Sequence, residues 1–262
     1  MTADHELSFA AAVAAHHLEG SQFRPHDPAH EYYQTSLLSA VMNGVYDGEE
    51  TIGSLLQHGD FGLGTFNALD GEMIVHEGVA YRLTGDGKAA VAPADAKTPY
   101  AAVIPFEPDT HLVVDKPIDK EGFEAGLDEL AASPNLFYAI RFTGHIERIR
   151  FRSVLRQEKP YKPLLDVVKT QAEFDVTAID GTILGFRCPN YAVGIGVPGY
   201  HLHFLSANRN TGGHVLDYRL GPGELEIDHT SAIHLELPET EAFSDANLSA
   251  GSSAGDIAKA EG

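Results

Sequence analysis

Apolar and polar positions mostly alternate along this chain, and helical spacing is brief. Alternation runs through residues 135–144 and again through 146–154. In the second run Ile149 and Phe151 share one face, and Arg148, Arg150 and Arg152 share the other. Strand side chains point to opposite faces in turn, so the two runs predict a hairpin. Residues 60–69 and 72–76 flank Asp70-Gly71, a strong hairpin turn, and 79–83 follow Gly78. This stretch predicts a β-meander. Residues 84–100 are loop-rich, and 101–106 predict one more short strand. Strands return from Phe174, with a turn at Asp180-Gly181, an apolar run at 191–197, and segments at 199–206, 215–220, 224–227 and 233–237. Helical spacing is confined to Phe123, Leu127 and Leu130, to residues 51–59 with Thr51 as N-cap, and to 164–169. Residues 35–42 fit either state.

These elements predict an α+β fold of two β-rich halves with few short helices. Residues 1–30 are a weakly ordered arm. Residues 31–162 form an N-terminal, mostly antiparallel or mixed sheet. Residues 163–238 form a smaller C-terminal β-domain, joined through the proline-bearing linker 157–163. The polar tail 239–262 is either disordered or wraps back over a site.

Candidate chemistry gathers on the predicted strand at 199–206. His201 and His203 lie two residues apart, hence on one face, and His214 follows after a polar, glycine-rich loop. A hairpin there brings three imidazoles together. Three protein ligands with an open fourth position are what a catalytic zinc requires. A lone histidine is more often a hydrogen-bonded surface group, and it is the third one that strengthens the metal reading.

Composition narrows the function classes. The 262 residues carry 38 acidic and 18 basic side chains, a formal net charge of −20. Nucleic-acid affinity needs a basic footprint, and an anionic membrane repels such a chain. No apolar run nears the roughly 20 residues of a membrane span. The alanine-rich stretch after Phe9 follows Asp4 and Glu6 rather than positive charge, so it is a poor signal peptide. One cysteine, Cys188, excludes an internal disulfide framework and suits a reducing, cytoplasmic setting. No phosphate-binding glycine loop occurs, and no organic cofactor is expected. A carboxylate beside the metal is also expected. Glu72, just after the Asp70-Gly71 turn, is one candidate among 38 acidic residues.

Several segments, in order, resemble the α-acetolactate decarboxylase family over nearly the whole chain. They are His58-Gly59-Asp60-Phe61-Gly62-Leu63-Gly64-Thr65-Phe66, Leu69-Asp70-Gly71-Glu72, Phe137-Tyr138-Ala139-Ile140-Arg141 and Phe151-Arg152-Ser153-Val154. Gln157-Glu158-Lys159-Pro160-Tyr161, Gly199-Tyr200-His201-Leu202-His203-Phe204 and His214-Val215-Leu216-Asp217 complete the set. The resemblance implies a zinc enzyme of acetoin and butanediol biosynthesis that turns 2-acetolactate into acetoin with loss of CO2. It implies His201, His203 and His214 as zinc ligands, with Glu72 and Arg152 acting beside the metal. It implies a glutamate from the extreme C-terminus in the site, here Glu261; the stereospecific proton to the enediolate is expected from Glu72 or Glu261, with Glu261 taken as the donor and Glu72 as metal-proximal. It also implies a homodimer formed through the N-terminal sheet.

Two other readings stand beside this one. A cupin-like metal-dependent dioxygenase or isomerase, acting on a small hydroxy- or keto-acid, also uses His-x-His with a later His. It wants a Glu shortly after the pair, where this chain has Ser206, Ala207, Asn208 and Arg209. A non-catalytic binding module predicts a coordinatively closed site.

Overall fold

In the computed structural model, which describes residues 7–15, 30–248 and 254–261, the alternating segments form two large sheets. The first runs Leu7–Ser8, Thr110–Val114, Gly212–Thr230, Phe137–Ser153, Ala172–Cys188, Gly199–Ser206, with Ile118–Asp119 also paired to Gly212–Thr230. The strand Gly212–Thr230 pairs with both Phe137–Ser153 and Gly199–Ser206, so four strands close into a ring. The second sheet runs Ile233–Glu236, Tyr32–Thr35, Ala101–Ile104, Phe61–Thr65, Glu72–His76, Val79–Leu83, Ala89–Val91. The chain is thus β-rich with short helices, as its alternation predicts.

The expected hairpin at 135–154 is instead one 17-residue strand, Phe137–Ser153. Its neighbours pair along both halves, with the register slipping near Gly144. A Cβ on Gly144 would lie 2.5 Å from the Gly223 Cα, so glycine there permits close approach of strands rather than a reversal. The expected turn at Asp180-Gly181 likewise lies inside the continuous strand Ala172–Cys188. The apolar run at 191–197 is a short 3-10 turn, Asn190–Ala192, and loop.

The sheets also do not divide the chain at residue 162. Phe137–Ser153 belongs to the first sheet with the later strands, and Ile233–Glu236 returns to pair in parallel with Tyr32–Thr35 of the second. Long-range pairing decides membership, and sequence position does not. Residues 7–15 are similarly drawn in. Leu7–Ser8 pairs with Thr110–Val114, and the Phe9 ring packs 5.3 Å from Phe123 on the helix Lys120–Leu130. The remainder of the expected 1–30 arm, up to Pro28 and Ala29, lies outside the described residues.

The Lys120–Leu130 helix starts where Asp119 accepts a hydrogen bond from the Gly122 amide, and it buries Phe123, Leu127 and Leu130 against the ring. Thr51 caps Ile52–Leu55 in the same way. Between the sheets lie Tyr32, Phe61, Leu63, Ile74 and Leu83 from one side, and Phe137, Leu184, Phe186 and Leu205 from the other. Each such side chain contributes about 1.5–3 kcal/mol by leaving water. The strand Glu72–His76 is buried on both faces: Met73 and Val75 pack with Ile52 and Leu55, and Ile74 packs in the inter-sheet core. Alternation therefore aims Glu72 to the Ile74 side, toward the first sheet.

Candidate active site

His201 and His203 point to one face of Gly199–Ser206, and His214 is the direct cross-strand partner of His203. All three are buried. Their ring centroids stand 5.1, 5.0 and 5.3 Å apart, a nearly equilateral triangle. One ligand nitrogen from each lies within 4.8 Å of the others. His214 Nδ1 faces His203 Nε2 at 3.4 Å. Two nitrogens on a tetrahedral zinc at ~2.0–2.1 Å are separated by about 3.3 Å, so this spacing suits a shared cation.

Two of the imidazoles, His201 and His203, are held neutral, as metal ligands must be. Burial, then the Arg152 charge, pushes His201 down to about 3. Burial, then His201, pushes His203 well below its usual value, opposed by the Met73 carbonyl. His203 Nδ1 donates to that carbonyl at 2.7 Å, which leaves Nε2 with its lone pair facing the cluster. Three buried, converging imidazole nitrogens make a donor set that could hold a metal ion.

The second sheet supplies Glu72, buried, with Oε2 3.9 Å from His203 Nε2. Its strand begins after Gly71, a residue at φ 92° whose carbonyl accepts a hydrogen bond from Thr65 Oγ1 at 2.8 Å. Arg152 sits opposite His214 in register. Arg148 and Arg150 stay exposed, but the pairing slips by one residue between Arg150 and Phe151, and Arg152 is buried. Such slips re-aim side chains beside active sites. Arg152 Nη1 donates to Gln171 Oε1 at 3.0 Å, and Gln171 Nε2 donates to Glu173 at 2.9 Å.

Glu72, Arg152 and His201 line one pocket with Leu38, Leu69, Tyr100, Val154 and Leu164. Those five residues also form a cluster with Ile257 and Ala260 of the helix Ala254–Glu261. The last turn of the chain is therefore set against the pocket wall. Glu261 ends this helix, and its side chain lies outside the described residues. Sequence reasoning did not single out Gln171, the Met73 carbonyl or the apolar wall. A lone glutamine and a backbone carbonyl carry no pattern that would have revealed them.

A family model described as alpha-acetolactate decarboxylase matches residues 32–250. The chain belongs to the alpha-acetolactate decarboxylase family. As such it is an enzyme of the carboxy-lyase class. It is 47% identical over 242 residues to the alpha-acetolactate decarboxylase of Methylococcus capsulatus, covering 92% of this chain and 93% of the relative. Identity to the Bacillus subtilis alpha-acetolactate decarboxylase is 42% over 235 residues, covering 90% and 92%. A crystal structure of alpha-acetolactate decarboxylase from B. subtilis strain 168 superposes with a TM-score of 0.87, covering 88% of this chain and 99% of that one. A Staphylococcus aureus protein similar to alpha-acetolactate decarboxylase superposes at 0.83 with 30% identity, covering 88% and 99%.

Proposed function

We propose that this decarboxylase converts 2-acetolactate to acetoin and CO2 at the pocket between the sheets, with zinc held by His201, His203 and His214. The observation that carries the reading is the buried imidazole triangle with Glu72 and Arg152 beside it. When bound, the ion supplies Lewis-acid stabilisation for the electron pair left as the carboxylate departs.

This chain's own groups perform the rest. The Arg152 guanidinium binds the substrate carboxylate or hydroxyl by charge-assisted hydrogen bonds, held in orientation by Gln171. Leu38, Tyr100, Val154 and Leu164 exclude water. The bond to the carboxylate carbon breaks, its electrons remain on the adjacent carbon, and CO2 leaves. One proton is then delivered to one face of that carbon, giving a single enantiomer. Glu261 is the proposed donor, because Ile257 and Ala260 anchor its helix to the pocket wall. Glu72 stays next to the metal ligands.

The protein is further proposed to act as a cytoplasmic homodimer. The exposed Ile233, on the outer strand of the second sheet, is a candidate contact, and the buried free Cys188 suits a reducing compartment.

Acetoin formation from 2-acetolactate, assayed before chelation, after it and after zinc is restored, tests the reading. Loss and recovery are expected. Full turnover in rigorously chelated protein would rule the metal role out. Product chirality unchanged in a fully active Glu261→Gln enzyme would rule out its role as donor.

A further inference from the structure

The segment 156–161 has no part in the chemistry above, yet it lines a second cavity of about 510 Å³. Arg82, Lys97, Arg156 and Lys159 face this groove, with Asp47, Asp70 and Glu158 as its acids. Four cations against three carboxylates is a local positive excess on a chain whose acids outnumber its bases 38 to 18.

The cations are only partly engaged. Arg82 bonds Asp70 at 2.8 Å. Arg156, 67% exposed, gives one Nη1 bond of 3.3 Å to the same carboxylate, out of the five donors a guanidinium carries. Lys159 reaches Asp47 at 2.6 Å, and exposed Lys97 makes no ion pair among the described residues. Fork-shaped donors beside a flexible ammonium are the groups that recognise carboxylates and phosphates.

Three chain segments line both this groove and the catalytic pocket. In the turn after Phe66, Asn67, Ala68 and Asp70 face the groove, while Leu69 and Glu72 face the pocket. Val154 faces the pocket, and Arg156 and Gln157 face the groove. Lys159 and Tyr161 line the groove, and Leu164 lines the pocket. The shared turn is under strain, with the non-glycine residues Ala68 and Leu69 at φ 62° and 49°. It is held by the Gln157 amide donating to the Ala68 carbonyl at 2.7 Å, and by Asn67 bonding both backbone groups of Gly48.

We propose that this groove is a second binding site for a small oxyanion ligand, a carboxylate or a phosphate, whose occupancy adjusts turnover in the neighbouring pocket. An anion that draws Arg156 and Arg82 from Asp70 loosens one restraint on the turn carrying Leu69 and Glu72. The kinetic half of this inference rests on the decarboxylation reading, and the binding half does not.

Calorimetric titration of the zinc-loaded protein with inorganic phosphate, and separately with succinate, at fixed ionic strength tests it. Saturable binding of at least one is expected, and the better of the two identifies the oxyanion class. The double substitution Lys97→Ala/Arg156→Ala is expected to weaken that binding about tenfold or more. A saturating anion is expected to shift wild-type KM or kcat about fivefold or more. The double variant is expected to lose the anion-dependent shift. Absence of saturable binding by either anion overturns the proposal. Binding unchanged by the double substitution overturns it too, since the anion then sits elsewhere. Binding without any effect on turnover overturns the coupling. Groove-dependent binding in a protein that forms no acetoin at all would sink the decarboxylation reading and leave the anion site standing.

Discussion

His203 donates a 2.7 Å hydrogen bond from Nδ1 to the carbonyl oxygen of Met73. The bond crosses from the ring of the first sheet to the buried strand Glu72–His76 of the second. It fixes the tautomer and plane of one imidazole, and the next residue back along the strand, Glu72, is the carboxylate beside it. Such outer partners orient ligands and raise their basicity. Docking of the two sheets therefore completes the site.

Replacing His203 is expected to remove this arrangement at its centre. In His203→Ala, metal affinity and turnover should fall by more than the about 10–100-fold that loss of an outer partner costs. Metal analysis of dialysed protein alongside the acetoin assay checks this. Full metal stoichiometry with full activity would take His203 out of the ligand set.

Gln171 is expected to act through Arg152. Losing a hydrogen bond to a charged group costs about 1.5–3 kcal/mol, so Gln171→Leu should lower kcat/KM about tenfold or more. Thermal melting and metal content should stay near wild type. Activity at the wild-type level would mean that the guanidinium is oriented without it.

Acid should destabilise the metal-free protein through its histidines. In the folded chain His201 takes up a proton only near about 3, and in the unfolded chain near 6.5. Between those values the unfolded state binds more protons, so this stability is whole above pH 6.5 and drains away as pH falls toward 3. His203 is lowered in the same direction. Denaturant unfolding of chelated protein from pH 7 to 4 reads the slope, and His201→Gln should make it shallower. A variant with the wild-type slope contradicts the assignment.

Glu124 runs the other way. Burial raises its carboxyl, opposed by Lys120 and the Tyr218 hydroxyl. Stability from this group is present below the unfolded carboxyl value and is lost as pH rises through the raised, folded one. Glu124→Gln is thus expected to melt higher than wild type at pH 7, with the gain shrinking as pH approaches 4. A gain independent of pH would point to packing instead.

Gly185 lies where the strand Ala172–Cys188 meets the histidine strand. A Cβ there would stand 2.0 Å from the His201 carbonyl oxygen. Gly185→Ala should cost about 1–3 kcal/mol of stability, the usual range for overpacking. It should also weaken metal retention, because His201 must shift. Unfolding and metal analysis on the same preparation decide it.

Much of this was legible in single stretches of sequence. The two-residue step fixes His201 and His203 on one face, because side-chain alternation is a local property of a strand. The Thr51 cap, and the Phe123, Leu127 and Leu130 stripe, are equally local. Resemblance then named Glu72 and Arg152 together with the three histidines.

Tertiary structure decided the rest, for a non-local reason. Gly144 and Gly181 read as turns in isolation, but neighbouring strands pair straight past them and leave each as a close crossing. Arg148, Arg150 and Arg152 were equivalent by periodicity, yet only Arg152 is buried, and a one-residue slip against Gly212–Thr230 sets it opposite His214. The Met73 carbonyl has no side-chain signature at all. By itself the sequence determined which residues share a face. Strand pairing and sheet docking determined which faces meet, because hydrogen-bond partners and bulges are set by chain segments far away in sequence.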